Sequence, residues 1–295
     1  GNQLRRKYHV YCAGYAHIDL AWLWTWRETV EVVRSTTASV FNIMRHVPQF
    51  KYTMTQAHAY KWLERYYPDL FDQIKQAVRE GRWEIAGGMW VEPDCNLPSG
   101  ESFARQFLYG KRYFRQKFGK DVDVCWIPDS FGFNWNLPQF LVRAGFKAFV
   151  THKINVNEVN KFPYRFFWWQ APDGSRVLAY IPRSGYGHDL NGDALVEFLE
   201  EESRELGFGK ELVLYGVGNQ GGGPTMQMLE RALTEMEAPA FPDVKLSTSE
   251  EFFDSFTEQE LKRLPVWRDE LYLEHHRGTY TSQASVKKHN RTLEY

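Results

Sequence analysis

The chain has 295 residues, 36 Lys and Arg against 37 Asp and Glu, and a formal net charge of −1. The near balance argues against a polyanion-binding surface spread over the molecule, though a local patch stays open. With 43% hydrophobic and 25% charged residues, the composition is that of an ordinary globular core, and the length suggests about two domains.

In chain order, residues 8–13 read as a first strand and residues 22–44 as an amphipathic helix. A second strand follows at 51–55, then a helix over 57–79 that Gly81 ends, and a third strand at 83–86 closed by Gly87 and Gly88. Ser99, with Ser102 as the alternative, caps a helix that runs to about Phe118. Residues 122–127 and 146–150 form further strands, and residues 166–169 and 177–181 a hairpin around Pro172-Asp173-Gly174. A helix over 194–206, a strand over 212–215 and a helix over 225–236 complete the alternation.

The expected fold class is therefore α/β: a mostly parallel sheet or a distorted β/α barrel with helices on both faces. Sites in such folds gather beyond the carboxyl ends of strands. The chain changes character near Leu264-Pro265 and turns polar, His-rich and helical. Residues 1–264 read as an α/β catalytic domain, and residues 265–295 as the start of an incomplete helical domain.

No run approaches the ~20 apolar residues of a membrane span, and residues 1–7 are polar with no signal-peptide core. Cys12, Cys95 and Cys125 are odd in number, far apart and outside any CxxC pair. These features exclude a disulfide scaffold and suit a reducing cytoplasm. Aromatic residues reach 16%, which fits either a heavy core or rings that stack on flat ligand faces such as sugars.

After the first strand, His17 and Asp19 sit two apart. In extended backbone their side chains share a side, so an imidazole and a carboxylate converge as half a divalent-metal site; a histidine merely bonded to a nearby acid is the alternative. After the fourth strand, Asp129 stands in a stiff loop between Pro128 and Gly132. It reads as a cap of the following turn, a catalytic carboxylate or a third ligand. The loop 216–225 carries Gly221-Gly222-Gly223 but lacks the Lys-Ser/Thr of a P-loop and the dinucleotide spacing. Close backbone approach to a ligand explains it better than phosphate binding. Glu92 and Asp94 flank a Trp-bearing loop after the third strand, and Glu274-His275-His276 offers adjacent histidines of which at most one joins a shared site.

Five segments, AHIDLAWLW (16–24), GGMWVEPDCNLPSGES (87–102), WIPDSFGFNWNLPQ (126–139), YGVGNQGGGPT (215–225) and LYLEHHRGTYTSQ (271–283), together resemble the glycoside hydrolase family 38 α-mannosidases, in wording closest to the bacterial and cytosolic branch. The resemblance covers nearly the whole chain. It implies zinc held by His17, Asp19 and Asp129, with Asp129 also the nucleophile of a retaining double displacement through a covalent glycosyl intermediate. It implies that the metal chelates the cis 2,3-diol of mannose, and that Trp22, Phe131 and Lys153 contact the sugar. A mannose-containing glycan is the expected partner, with neither nucleic acid nor membrane; a homo-oligomer is left open.

The sequence departs from the family pattern twice. The fourth ligand, a His in an HDxxxG motif, is missing and is expected beyond residue 295, so residues 1–295 alone should bind zinc weakly and turn over little. The position of the general acid holds Asn219-Gln220, neither of which gives up a proton. Glu274, Asp94 and a group beyond the chain all remain open for that role. The enzyme alternative is a metal-dependent carbohydrate deacetylase, whose paired Asp-Asp and His-x-x-x-His are missing here; a non-catalytic sugar-binding module is the other.

Overall fold

A computed structural model describes residues 8–218, 220–239 and 241–295. Ten strands follow in chain order: β1 (His9–Tyr15), β2 (Tyr52–Met54), β3 (Trp83–Ile85), β4 (Val124–Trp126), β5 (Ala148–Val150), β6 (Phe166–Gln170), β7 (Arg176–Tyr180), β8 (Lys210–Tyr215), β9 (Asp243–Leu246) and β10 (Val266–Trp267). The chain divides into two compact units. One holds residues 8–54 with His58–Ile85 and Pro182–Arg263, the other Thr55–Ala57 with Ala86–Ile181 and Leu264–Tyr295.

The first unit is built on an all-parallel sheet ordered β3-β2-β1-β8, with β9 also paired to β1. β1 lies at its centre. Val10, Cys12 and Ala13 are fully buried, as expected of an apolar run covered on both faces. β8 matches β1 residue for residue from His9↔Lys210 to Gly14↔Tyr215.

Helix α1 (Trp26–His46) follows β1. The helix expected from Trp22 therefore starts four residues late, because Glu28 Oε2 accepts the Thr25 N–H at 2.6 Å and closes the helix there. Residues 57–79 form two helices rather than one, α2 (Ala57–Tyr66) and α3 (Pro68–Arg79). Pro68 has no N–H to continue the first helix and starts the second instead. The carboxylate of Glu84, on β3, is buried. It accepts from Thr53 Oγ1 at 2.6 Å, Ser249 Oγ at 2.7 Å, and the backbone N–H groups of Ser249 at 3.0 Å and Glu250 at 2.9 Å.

The second unit holds the other sheet, ordered β10-β6-β7-β5-β4. β4, β5 and β7 run parallel, and β6 pairs antiparallel with β7 as the expected hairpin. Helix α4 (Gly100–Phe118) starts where Ser99 Oγ accepts the Ser102 N–H at 3.3 Å and ends at Gly119 with φ +67°. Phe133, Phe149 and Trp169, each fully buried, pack edge-on and tilted in the core. Beyond Leu264, β10 pairs with β6, and Leu271 exchanges backbone hydrogen bonds with Phe133 at 2.9 and 3.0 Å. The last helix, Ala284–Glu294, buries no residue. Among the described residues no helix is long and apolar enough to cross a membrane.

Candidate active site

In the first unit, the chain leaves β1 at Tyr15 and immediately presents His17, whose side chain is 5% exposed, and Asp19, at 36%. His17 Nε2 lies 3.1 Å from Asp19 Oδ1. Tyr15 Oη stands 3.4 Å from the other ring nitrogen, Nδ1, and the Tyr186 ring covers the imidazole at 4.9 Å between centroids. The Asp19 carbonyl accepts from Trp24 Nε1 and Thr29 Oγ1, both at 3.3 Å, which ties this loop to the start of α1. Trp22 is 68% exposed and meets Trp24 edge-on at 5.2 Å. An imidazole nitrogen and a carboxylate oxygen this close suit one edge of a zinc tetrahedron with ligand bonds of about 2.0–2.2 Å. The donor set and its spacing therefore fit the metal.

The glycine loop closes on this half-site. Gly221 donates its N–H to the His17 carbonyl at 3.1 Å, Gly222 to Thr36 Oγ1 at 3.2 Å and Gly223 to the Val217 carbonyl at 2.9 Å. Those three amides are committed within the protein, so the loop is no phosphate cradle. Positive φ at all three positions, 84°, 94° and 74°, is what demands glycine.

In the second unit, Asp129 follows β4. Its N–H donates to Glu92 Oε1 at 2.6 Å, and its Oδ1 lies 2.5 Å from Lys153 Nζ. Lys153 is brought there by backbone pairing, because the Pro128 carbonyl accepts the Lys153 N–H at 3.1 Å. The same ammonium stands 5.4 Å from the centroid of Phe131. The expected residues Asp129, Phe131 and Lys153 thus meet in one cluster, as His17 and Asp19 do in theirs. Neither Glu92 as the anchor of Asp129 nor His276 against Phe131 was foreseen. The only sequence signal was their presence in two segments singled out for other reasons.

The two candidate acids have other employment. Glu274 accepts the backbone N–H groups of Asn160 at 2.9 Å, Val159 at 2.8 Å and Glu158. These bonds, Asn160's first, hold its carboxyl down at about 2. A group so acidic carries no proton to give near neutral pH. Asp94 Oδ1 accepts the N–H groups of Asn96 at 2.8 Å and Leu97 at 2.7 Å and so closes a turn.

Comparison with known proteins gives the family. The chain is 41% identical over 286 residues to alpha-mannosidase G of Dictyostelium discoideum, covering 97% of this chain and 26% of that protein. It is 38% identical over 288 residues to alpha-mannosidase 2C1 of Homo sapiens, covering 97% and 27%. The chain thus spans about a quarter of the length of these curated relatives. The crystal structure of an alpha-mannosidase from Enterococcus faecalis V583 superposes with a TM-score of 0.72 over 90% of this chain and 31% of that one; at 21% identity this likeness shows the fold alone. Residues 7–270 match the glycosyl hydrolases family 38 N-terminal domain, and the chain belongs to that family.

Proposed function

We propose that this chain carries the catalytic domain of a zinc-dependent, retaining α-mannosidase acting on terminal mannose of glycans. The observation that carries the reading is Asp129 at a strand end, its backbone N–H held by Glu92 and its carboxylate by Lys153, in a chain of family 38. His17 and Asp19 are assigned as zinc ligands, supported by their converging donor atoms. The family resemblance adds Asp129 as the third ligand. When bound, the metal supplies chelation of the cis diol of mannose, which fixes the ring for attack.

Asp129 attacks the anomeric carbon as the glycosidic oxygen departs with the bonding electrons and forms the glycosyl ester, which water then opens with net retention. Lys153 Nζ holds Asp129 Oδ1 at 2.5 Å, so the nucleophile is oriented before substrate arrives. Trp22, Phe131 and Lys153 are assigned to the sugar, supported by the exposed Trp22 ring and by the grouping of the other two with Asp129. The three cysteines are free and buried, which supports a reducing, cytoplasmic setting.

The test is labelling with an activated fluoro-mannoside followed by peptide mass spectrometry. The expected adduct is on the peptide containing Asp129. Labelling of a different carboxylate with Asp129 untouched overturns the assignment.

A further inference from the structure

The reading of the chain as a retaining mannosidase, on which this inference rests, requires a group that delivers a proton to the departing oxygen. Glu274 is locked in its charged form by three backbone donors. Lys153 is committed to Asp129, Glu92 to the Asp129 N–H and Asp94 to its turn. Tyr280 donates to the Phe131 carbonyl while accepting from Asn96 Nδ2 at 2.6 Å, and burial raises its phenol further. His275 faces Glu158 and Glu274 at 3.8 and 3.9 Å.

His276 is different. Its ring lies 4.8 Å from the Phe131 ring, two residues along from Asp129. Among the described residues neither of its ring nitrogens has a hydrogen-bond partner. Its backbone is left-handed, φ 63° and ψ 15°, a conformation that costs a non-glycine residue about 1 kcal/mol or more. The cost is met locally: the His276 carbonyl accepts from the Thr279 N–H at 2.9 Å and its Oγ1 at 2.6 Å. One turn further on, Tyr280 clamps the Phe131 carbonyl. The strained turn therefore places an exposed imidazole, with both nitrogens uncommitted, against Phe131 of the nucleophile's own loop. An imidazole ordinarily gains and loses its proton near neutral pH, as a general acid that must later act as base requires. Charged groups near it include His275, at 6.3 Å between ring centroids, the neighbouring Arg277, and Lys153, whose ammonium stands 5.4 Å from the centroid of the same Phe131 ring.

We propose that His276 is the acid and base of the reaction. In the first step Asp129 bonds to the anomeric carbon as the bond to the leaving oxygen breaks; that oxygen keeps the electron pair and takes the proton of the His276 imidazolium. In the second step the neutral imidazole takes a proton from the attacking water, and the glycosyl ester opens with its electron pair returning to Asp129.

The test compares wild type with His276→Asn in the zinc-loaded full chain. Asn tolerates a left-handed backbone, so the turn is preserved. The substrates are 2,4-dinitrophenyl α-mannoside, whose leaving group departs without a proton, and methyl α-mannoside, whose leaving group does not. The expected result is a drop of about 10²–10⁴ in the ratio of the methyl to the dinitrophenyl kcat/KM, with loss of the alkaline limb of the methyl mannoside pH profile. An equal loss on both substrates, or an unchanged ratio, overturns the role. A wild-type protein whose bound zinc is verified by elemental analysis and which still turns over neither substrate overturns the mannosidase reading, and this inference with it.

Discussion

Lys153 Nζ lies 2.5 Å from Asp129 Oδ1, and both side chains are more than four-fifths buried, at 16% and 19% exposure. The pair is therefore shielded from the solvent that weakens most surface salt bridges. Removing the cation leaves a carboxylate that is both less oriented and without its partner. Lys153→Met is expected to lower kcat/KM on an aryl α-mannoside about 10²-fold, while Asp129→Asn removes turnover by several orders of magnitude because an amide forms no glycosyl ester. Steady-state kinetics on both variants check the order; a Lys153→Met enzyme with wild-type kinetics would show that the contact is incidental.

Zinc should depend on the loop after β1. His17→Ala and Asp19→Ala are each expected to lower zinc content and activity together, since each removes one of two donor atoms 3.1 Å apart. Elemental analysis of the purified variants decides the point. Full zinc in the double variant would strike both residues from the ligand set.

Glu84 should matter to stability rather than chemistry. It satisfies four donors from Thr53, Ser249 and Glu250, and Glu84→Ala takes this acceptor from all four, the Thr53 and Ser249 donors being buried. The expected cost is about 3 kcal/mol, read as a lower urea midpoint at an unchanged slope. Burial raises the Glu84 carboxyl, against the pull of its donors. The folded form therefore holds its proton to higher pH than the unfolded form, and this group's contribution favours folding less as pH rises through the folded value.

Glu274 has the opposite sign. Its carboxyl is held down from 4.5 to about 2 by the backbone donors of Asn160, Val159 and Glu158. Its contribution is complete above about 4.5 and is lost as pH falls toward about 2. Thermal melts across that window should show a steeper acid loss in wild type than in Glu274→Gln. Parallel acid profiles would mean that the carboxylate contributes nothing there.

Much of this arrangement was legible because it is local. His17 and Asp19 are two apart just past the end of an apolar strand, near enough in sequence for their donor atoms to converge. The hairpin of β6 and β7 was marked by its Pro-Asp-Gly turn. What escaped notice depends on distance in sequence or on backbone shape. Glu92 and Asp129 are 37 residues apart, and no spacing rule links them. The break at Pro68 was hidden because the apolar spacing continues through it. β9 and β10, four and two residues long, were not expected. Nothing in the letters Glu274-His275-His276 distinguishes a locked carboxylate from an exposed imidazole; the left-handed turn between them does.

The bond from the Gly221 amide to the His17 carbonyl has a consequence for anyone diversifying this chain. A side chain at position 221 would begin 2.5 Å from a Val32 methyl and 2.8 Å from Thr36 Oγ1, so any accommodation would push the strut that supports His17. Libraries aimed at new glycan preferences should hold the glycine loop constant and vary Trp22 and Leu23 instead. Those two side chains are 68% and 81% exposed, so substrate choice there can drift without pushing on that strut.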